Sequence, residues 1–178
     1  MSGEMITIDG SYGEGGGQIL RTSLALAAIT GRPIRIVNIR AKRKNPGLAP
    51  QHLTAVEAVA QITGAKVEGA KLRSTELTFI PGKVRPGRYL FDVARDRPSA
   101  GSVTLVFQAV ALPLALSGGE SELILRGGTH VPWSPPAHYV QKVFIPIASR
   151  FGFEAEMEVI RWGSVSYTHL TLPTTERV

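Results

Sequence analysis

From residue 5 the chain alternates apolar and polar positions in "MITIDG" and then changes rhythm. The next stretch, "GQILRTSLALAAITG" (residues 17–31), is apolar at helical spacing and closes on glycine. The first pattern predicts a half-buried strand, the second a helix stopped by a C′ glycine. A strand in "PIRIVNIRA" follows, then a Pro-rich loop, a helix in "QHLTAVEAVAQITG" and strands in "AKVEGAKL" and "STELTFIPG". The order then recurs: strand "RYLFDVA", helix "GSVTLVFQAVALPLALSGG", strand "SELILRGG", helix "AHYVQKVFIPIASRFG" and strand "FEAEMEVIRWG". At a shift of 86 residues Arg40 meets Arg126, Pro46 meets Pro132, Pro50 meets Pro136 and His52 meets His138. A unit that occurs twice, each time as strand, helix, strand, helix, strand, predicts an α+β fold of sheets covered by helices. The expected divisions are residues 1–84, residues 85–163 and a tail, 164–178. Pro113 and Pro146 fall inside helices of the second unit, which are therefore expected to be kinked or short.

Composition narrows the class. Of 178 residues 43% are hydrophobic and 19% charged, which fits a folded domain rather than a disordered one. No apolar run reaches the about 18 residues that span a bilayer, so no membrane partner is expected. The start, "MSGEMITIDG", lacks a secretory pattern and there are no cysteines, which fits a cytoplasmic protein. The net charge of +6 is concentrated: "IRAKRK" (39–44) carries four cations and no acid. Such a patch suits a polyanion, either nucleic acid or a nucleotide triphosphate; the alternative is a solvated loop.

The candidate chemistry lies in "GSYGEGGGQILR" (10–21). It is neither a P-loop, since Gly16 stands where a lysine belongs, nor a dinucleotide fingerprint, since Gln18 replaces the last glycine. Gly15, Gly16 and Gly17 can bare backbone N–H groups at a helix N-terminus, a setting for an anion. Arg21 lies one helical turn past Gln18. Glu14 would repel phosphate unless a divalent cation bridged them; otherwise it complements the helix dipole. Arg40, Arg43, Gln51 and His52 fall at the mouths of neighbouring elements and complete one polar set.

The segments "DGSYGEGGGQILRTSLALAAITG", "NIRAKRKNPGLAPQHLTAVEA", "SAGSVTLVFQ" and "RGGTHVPWSPP" resemble the RNA 3′-terminal phosphate cyclase family, over residues 5 to about 163. The resemblance implies tandem βαβαββ-like units similar to the C-terminal domain of a bacterial translation initiation factor. It implies ATP and a divalent metal (Mg or Mn) as cofactors and RNA 3′-phosphate ends as substrate. The implied reaction passes through enzyme-AMP and RNA-adenylate intermediates to a 2′,3′-cyclic phosphate. On this reading Glu14 is the metal-side carboxylate, and Arg21, Arg40, Arg43, Gln51 and His52 hold ATP or RNA phosphates. Gln108 matches a glutamine near the nucleotide, while Pro135 and Tyr139 match part of an adenine pocket. The second unit has Phe107 opposite Arg21, so the cations belong to the first unit.

Family members are about twice as long and carry their nucleophilic histidine late in the chain. After Gly163, "SVSYTHLTLPTTERV" matches no family segment and is expected to be a non-native tail on a truncated chain. No catalytic nucleophile is therefore assigned; His169, His130 and His138 are all poor candidates, and the chain alone is expected to be inactive. The alternative readings are a non-catalytic cyclase-like RNA-binding scaffold in ribosome assembly and a translation-factor-like domain that needs no nucleotide.

Overall fold

A computed structural model describes residues 4–93 and 101–163, and 173–177 as backbone. The segment 94–100 and His169 lie outside the described residues. The first unit runs β1 (Ile6–Asp9), α1 (Gly17–Thr30), β2 (Ile34–Val37), α2 (Pro50–Thr63), β3 (Lys66–Glu68) and β4 (Leu77–Ile80). β1 and β2 pair in parallel across the α1 crossover, and β4 lies antiparallel between β2 and β3, giving the order β1-β2-β4-β3.

The second unit repeats this plan with β5 (Arg88–Asp92), α3 (Val103–Ala115), β6 (Glu122–Arg126), a helical segment α4, β7 (Glu156–Val159) and β8 (Pro173–Arg177). Its sheet has the order β5-β6-β8-β7, again parallel at the first pair and antiparallel elsewhere. The 86-residue shift holds for the helices, since α1 at 17–30 corresponds to α3 at 103–115, while the first three strands of each unit drift by a few residues and the fourth by more. The stretch expected to be a foreign tail contributes the backbone of β8.

Local sequence explains the elements. α1 and α2 end on Gly31 and Gly64, with φ of 67° and 63°, whose N–H groups close on the Ala27 and Ala60 carbonyls. In β2 the alternation points Ile34 and Ile36 inward and Arg35 outward, where it pairs with Glu76 at 2.8 Å. Pro113 sits within α3, two residues before its end, so the expected shortening costs little there. α4 is irregular: a helical turn Ala137–Tyr139, a π-turn Val140–Phe144, a turn Ile145–Ala148 opening on Pro146's neighbour, and a 3-10 turn Ser149–Phe151. Pro146 has no N–H to give the preceding turn, and the ladder widens just before it.

α3 is the hinge of the packing. It is buried on nearly every side, including Val103, Val106, Phe107, Val110 and Leu114, because it packs against β6 and against both α1 and α2. A single core therefore joins Leu24, Val59 and Phe79 of the first unit to Val106, Leu123 and Leu125 of the second. Phe107, the counterpart of Arg21, lies edge-on to Phe144 and Phe153 at 6.1 and 6.4 Å. Where one unit carries a cation, the other carries core. No helix among the described residues is long and apolar enough to cross a membrane.

Candidate functional site

The site begins with how Asp9 ends β1. Its carboxylate accepts the N–H and hydroxyl of Ser11 at 2.9 and 2.8 Å and the Asn38 amide at 3.2 Å. The Ser11 bonds, then Asn38, hold this carboxyl below its ordinary value. Tyr12 N–H closes on the Asp9 carbonyl and Gly15 N–H on that of Tyr12, so the glycine segment turns twice before α1. Gly16 is the N-cap and makes no side-chain cap. The first N–H groups of α1 therefore have no intrahelical or capping side-chain partner.

Four donors surround this turn. Arg43 Nη2 lies against Gly16, where an added Cβ would stand 3.1 Å away, and it also reaches the Glu14 carboxylate at 3.3 Å. A Cβ on Gly17 would run into His52 Nε2 and press on Arg21 Nη1. Lys42 ties the loop from the other side, donating to the Gly13 carbonyl at 3.2 Å. Arg43, Glu14 and the glycines line a cleft of about 570 Å³ together with Tyr12, Gln18, Ile19 and Trp133, while Arg21 and His52 stand behind Gly17.

His52 is held in one protonation state. It is 4% exposed, and its Nδ1 accepts the Ala49 N–H at 3.2 Å, the bond a Glu or Gln makes in a capping box. The neutral ring then carries its proton on Nε2, the atom beside Gly17. Burial, then the Arg40 and Arg21 charges, push its pKa down to about 3. At neutral pH His52 is an uncharged donor aimed at the glycine turn. Arg21 is also buried, which lowers it to about 10, so it remains a cation. Its side chain makes one hydrogen bond among the described residues, Nε to Gln108 Oε1 at 3.2 Å. A desolvated guanidinium with one neutral partner is set up for an anion.

The remaining candidates separate into two groups. Gln108 belongs to the site, reaching Arg21 from the second unit, and it also lines a second groove of about 530 Å³ with Tyr139, Phe107 and Leu112. Arg40 and Gln51 have partners within the protein. Arg40, at φ 54°, donates through Nη1 to the Asn45 and Gly47 carbonyls, both at 2.8 Å, and so closes the basic loop on itself. Gln51 Oε1 accepts the Ser102 N–H at 3.3 Å, a strut between units. The Pro135 carbonyl accepts the Thr104 hydroxyl at 2.7 Å, away from the glycine turn. His130 and His138 are spent on each other and on Trp162: His138 stacks on the indole at 4.3 Å and meets His130 at 2.9 Å. Asp9, Tyr12 and Trp133 escaped the sequence reading, although an Asp two residues before a Ser is an Asx-turn signal.

No group of three or more His, Asp or Glu side chains gathers for a metal among the described residues. Glu14 is a single exposed carboxylate at the cleft, so a hard cation there would draw its other ligands from phosphate oxygens and water.

The chain is similar to known proteins along most of its length. RNA 3′-terminal phosphate cyclases from Gloeothece citriformis, Methylococcus capsulatus and Hyperthermus butylicus are 55%, 57% and 56% identical over 89% of this chain. The chain spans about half the length of these curated relatives, 46%, 45% and 43% respectively. A family model described as RNA 3′-terminal phosphate cyclase matches residues 12–168, which takes in the glycine turn, the basic loop and α3. This chain therefore belongs to the RNA 3′-terminal phosphate cyclase family.

Proposed function

We propose that these residues bind ATP and the 3′-phosphate end of an RNA, for conversion of that phosphate to a 2′,3′-cyclic phosphate. The observation that carries the reading is the convergence of Arg21, Arg43 and the His52 Nε2–H on an uncapped glycine helix start. A triphosphate matches this donor set in charge and in the number of oxygens it presents. When bound, ATP would supply the AMP that turns an RNA phosphate into a competent electrophile, passing first to an enzyme nucleophile with release of pyrophosphate and then to the RNA. The neighbouring 2′-hydroxyl then displaces AMP. Arg21 and Arg43 hold phosphate oxygens and offset the charge that grows on them during transfer. His52 adds a hydrogen bond without adding charge. Glu14, with Mg or Mn, would neutralise the outer phosphates, and Gln108 and Tyr139 would lead towards the base.

This reading gives the present residues the binding steps and assigns the nucleophile to none of them, so the chain alone is expected to form no covalent adenylate. The two units are read as βαβαββ modules of the translation-factor type, working in the cytoplasm.

Calorimetric titration with ATP and Mg²⁺ tests the reading directly. Arg43→Ala is expected to weaken binding about tenfold, the worth of one charged hydrogen bond. A wild-type chain that takes up no ATP but still binds RNA would favour the scaffold reading instead. RNA binding should also fall with salt, each phosphate contact on a single strand adding about 0.7 to the slope of log K against log salt. Lys42→Ala is expected to reduce that slope by about 0.7 in a fluorescence-anisotropy series.

A further inference from the structure

Two large aromatic side chains stand at the cleft without packing on anything. Tyr12 is 82% exposed and Trp133 is 100% exposed, and both line the cleft that holds Glu14, Gly16 and Arg43. Neither ring makes an aromatic contact among the described residues, whereas Trp162, the other tryptophan, stacks on His138. Full exposure of an indole gives the fold no buried area.

Trp133 is also held where its backbone disfavours it. The Ser134 N–H closes on the Val131 carbonyl at 3.2 Å, making a four-residue turn with Pro132 second and Trp133 third. Trp133 has φ 65°. The third position of a turn with positive φ is where glycine or asparagine belongs, and a bulky aromatic there is an outlier. The Ser134 hydroxyl also bonds the Val131 carbonyl at 2.7 Å, which fixes the turn and hence the direction from which the indole leaves it. The ring therefore contributes neither to packing nor to the turn. Tyr12 is exposed at the end of the turn that the Asp9 carboxylate organises.

We propose that Tyr12 and Trp133 are a stacking platform for the unpaired bases at the 3′ end of the RNA. The proposal rests on the reading of the cleft as a phosphate site and adds what recognises the rest of the strand. Single-stranded RNA needs cations for its backbone and flat faces for its bases, and stacking tolerates any base because each has a π-face. Lys42 and Arg43 supply the cations beside the glycine turn, and the two aromatics supply the faces on the same cleft. A phosphate site alone would need no aromatic rings at its edge. Recognition by stacking also predicts a strand selected for being unpaired rather than for its sequence, with purine ends held somewhat more tightly than pyrimidine ends.

The test uses the 178-residue chain and short oligoribonucleotides ending in a 3′-phosphate, one series with all bases and one with an abasic terminal nucleotide. Trp133→Ala is expected to weaken binding of the intact strand about tenfold. Trp133→Phe should keep most of the affinity, Tyr12→Ala should lose a similar amount, and none of the three should alter affinity for the abasic strand. The loss for RNA should exceed any loss for ATP at least fivefold, a ratio that sets these residues against the base of ATP. Because Trp133 is wholly exposed, its substitution should leave the thermal midpoint in place. RNA affinity unchanged from the unsubstituted chain in both Trp133→Ala and Tyr12→Ala, or matched losses for RNA and ATP, overturns the platform while leaving the phosphate reading intact. A wild-type chain that binds ATP but no oligoribonucleotide overturns the platform together with the RNA half of that reading.

Discussion

Gly17→Ala is expected to lower the affinity for ATP by about 100-fold or more, from the addition of one methyl group. Alanine is a better helix former than glycine, so the first turn of α1 would accept it on backbone grounds. The obstruction is the neighbour. The new Cβ would coincide with the His52 ring edge and crowd Arg21 Nη1. The ring cannot simply step back, because its Nδ1 is bonded to Ala49 N–H and it is buried on α2. Moving it removes the Nε2 donor and misplaces the guanidinium together, and hydrogen bonds to charged groups are worth about 1.5–3 kcal/mol each. Two such losses correspond to the expected factor. Calorimetry with ATP reads the binding and a thermal melt reads the fold. An alanine variant that binds ATP normally would show that the anion sits elsewhere, and the glycine turn would lose its assigned role.

Acid should destabilise the chain through His52 before the carboxylates titrate. The histidine has a folded pKa of about 3 against an ordinary 6.5. Between these values the unfolded chain binds a proton that the folded chain refuses, so stability rises with pH across this window. The contribution is fully present above about pH 6.5 and is lost progressively as pH falls towards 3. Its size is on the order of a few kcal/mol, a large share of a typical domain's stability. His130 is also lowered, by burial and then by His138, and adds a smaller slope of the same sign. Asp9, lowered by its Ser11 and Asn38 bonds, acts only below the ordinary carboxylate range, its contribution present above that range and lost beneath it. Urea unfolding at pH 7, 6.2 and 5.5, above the carboxylate range, therefore isolates the histidines, and His52→Asn should flatten most of the slope. A slope unchanged in that variant would mean that His52 is hydrated and titrates normally.

The helices, and the gathering of Arg21, Arg43 and His52 near one glycine turn, are the most legible parts of the sequence. α1 and α2 announce themselves through period and terminal glycine, and local signals suffice because a helix is bonded within itself. Arg21, Arg43 and His52 could be gathered because each sits at an element mouth, where crossover topology brings loops to one end. The parts that were not legible depend on geometry that sequence spacing does not carry. Arg40 reads as a phosphate ligand by charge and type, and spacing does not show that its guanidinium also closes its own loop on Asn45 and Gly47. Gln51 reads as a phosphate ligand too, and spacing does not show its bond to Ser102. β8 gave no strand signal, since "PTTER" has no apolar alternation, yet its backbone lies between β6 and β7. Trp133 broke the rule by which turns are read: after Pro132 the pattern asks for glycine.

The bond between Arg21 and Gln108 joins residues 87 positions apart, one in each unit. During synthesis the glycine turn and the basic loop leave the ribosome first, with Arg21 not yet braced. Its guanidinium acquires its partner only after α3 has emerged and docked on α1 and α2. A half-made chain thus carries the cations but not the strut that orders Arg21, and the anion site proposed above would be completed late, as the second unit closes on the first.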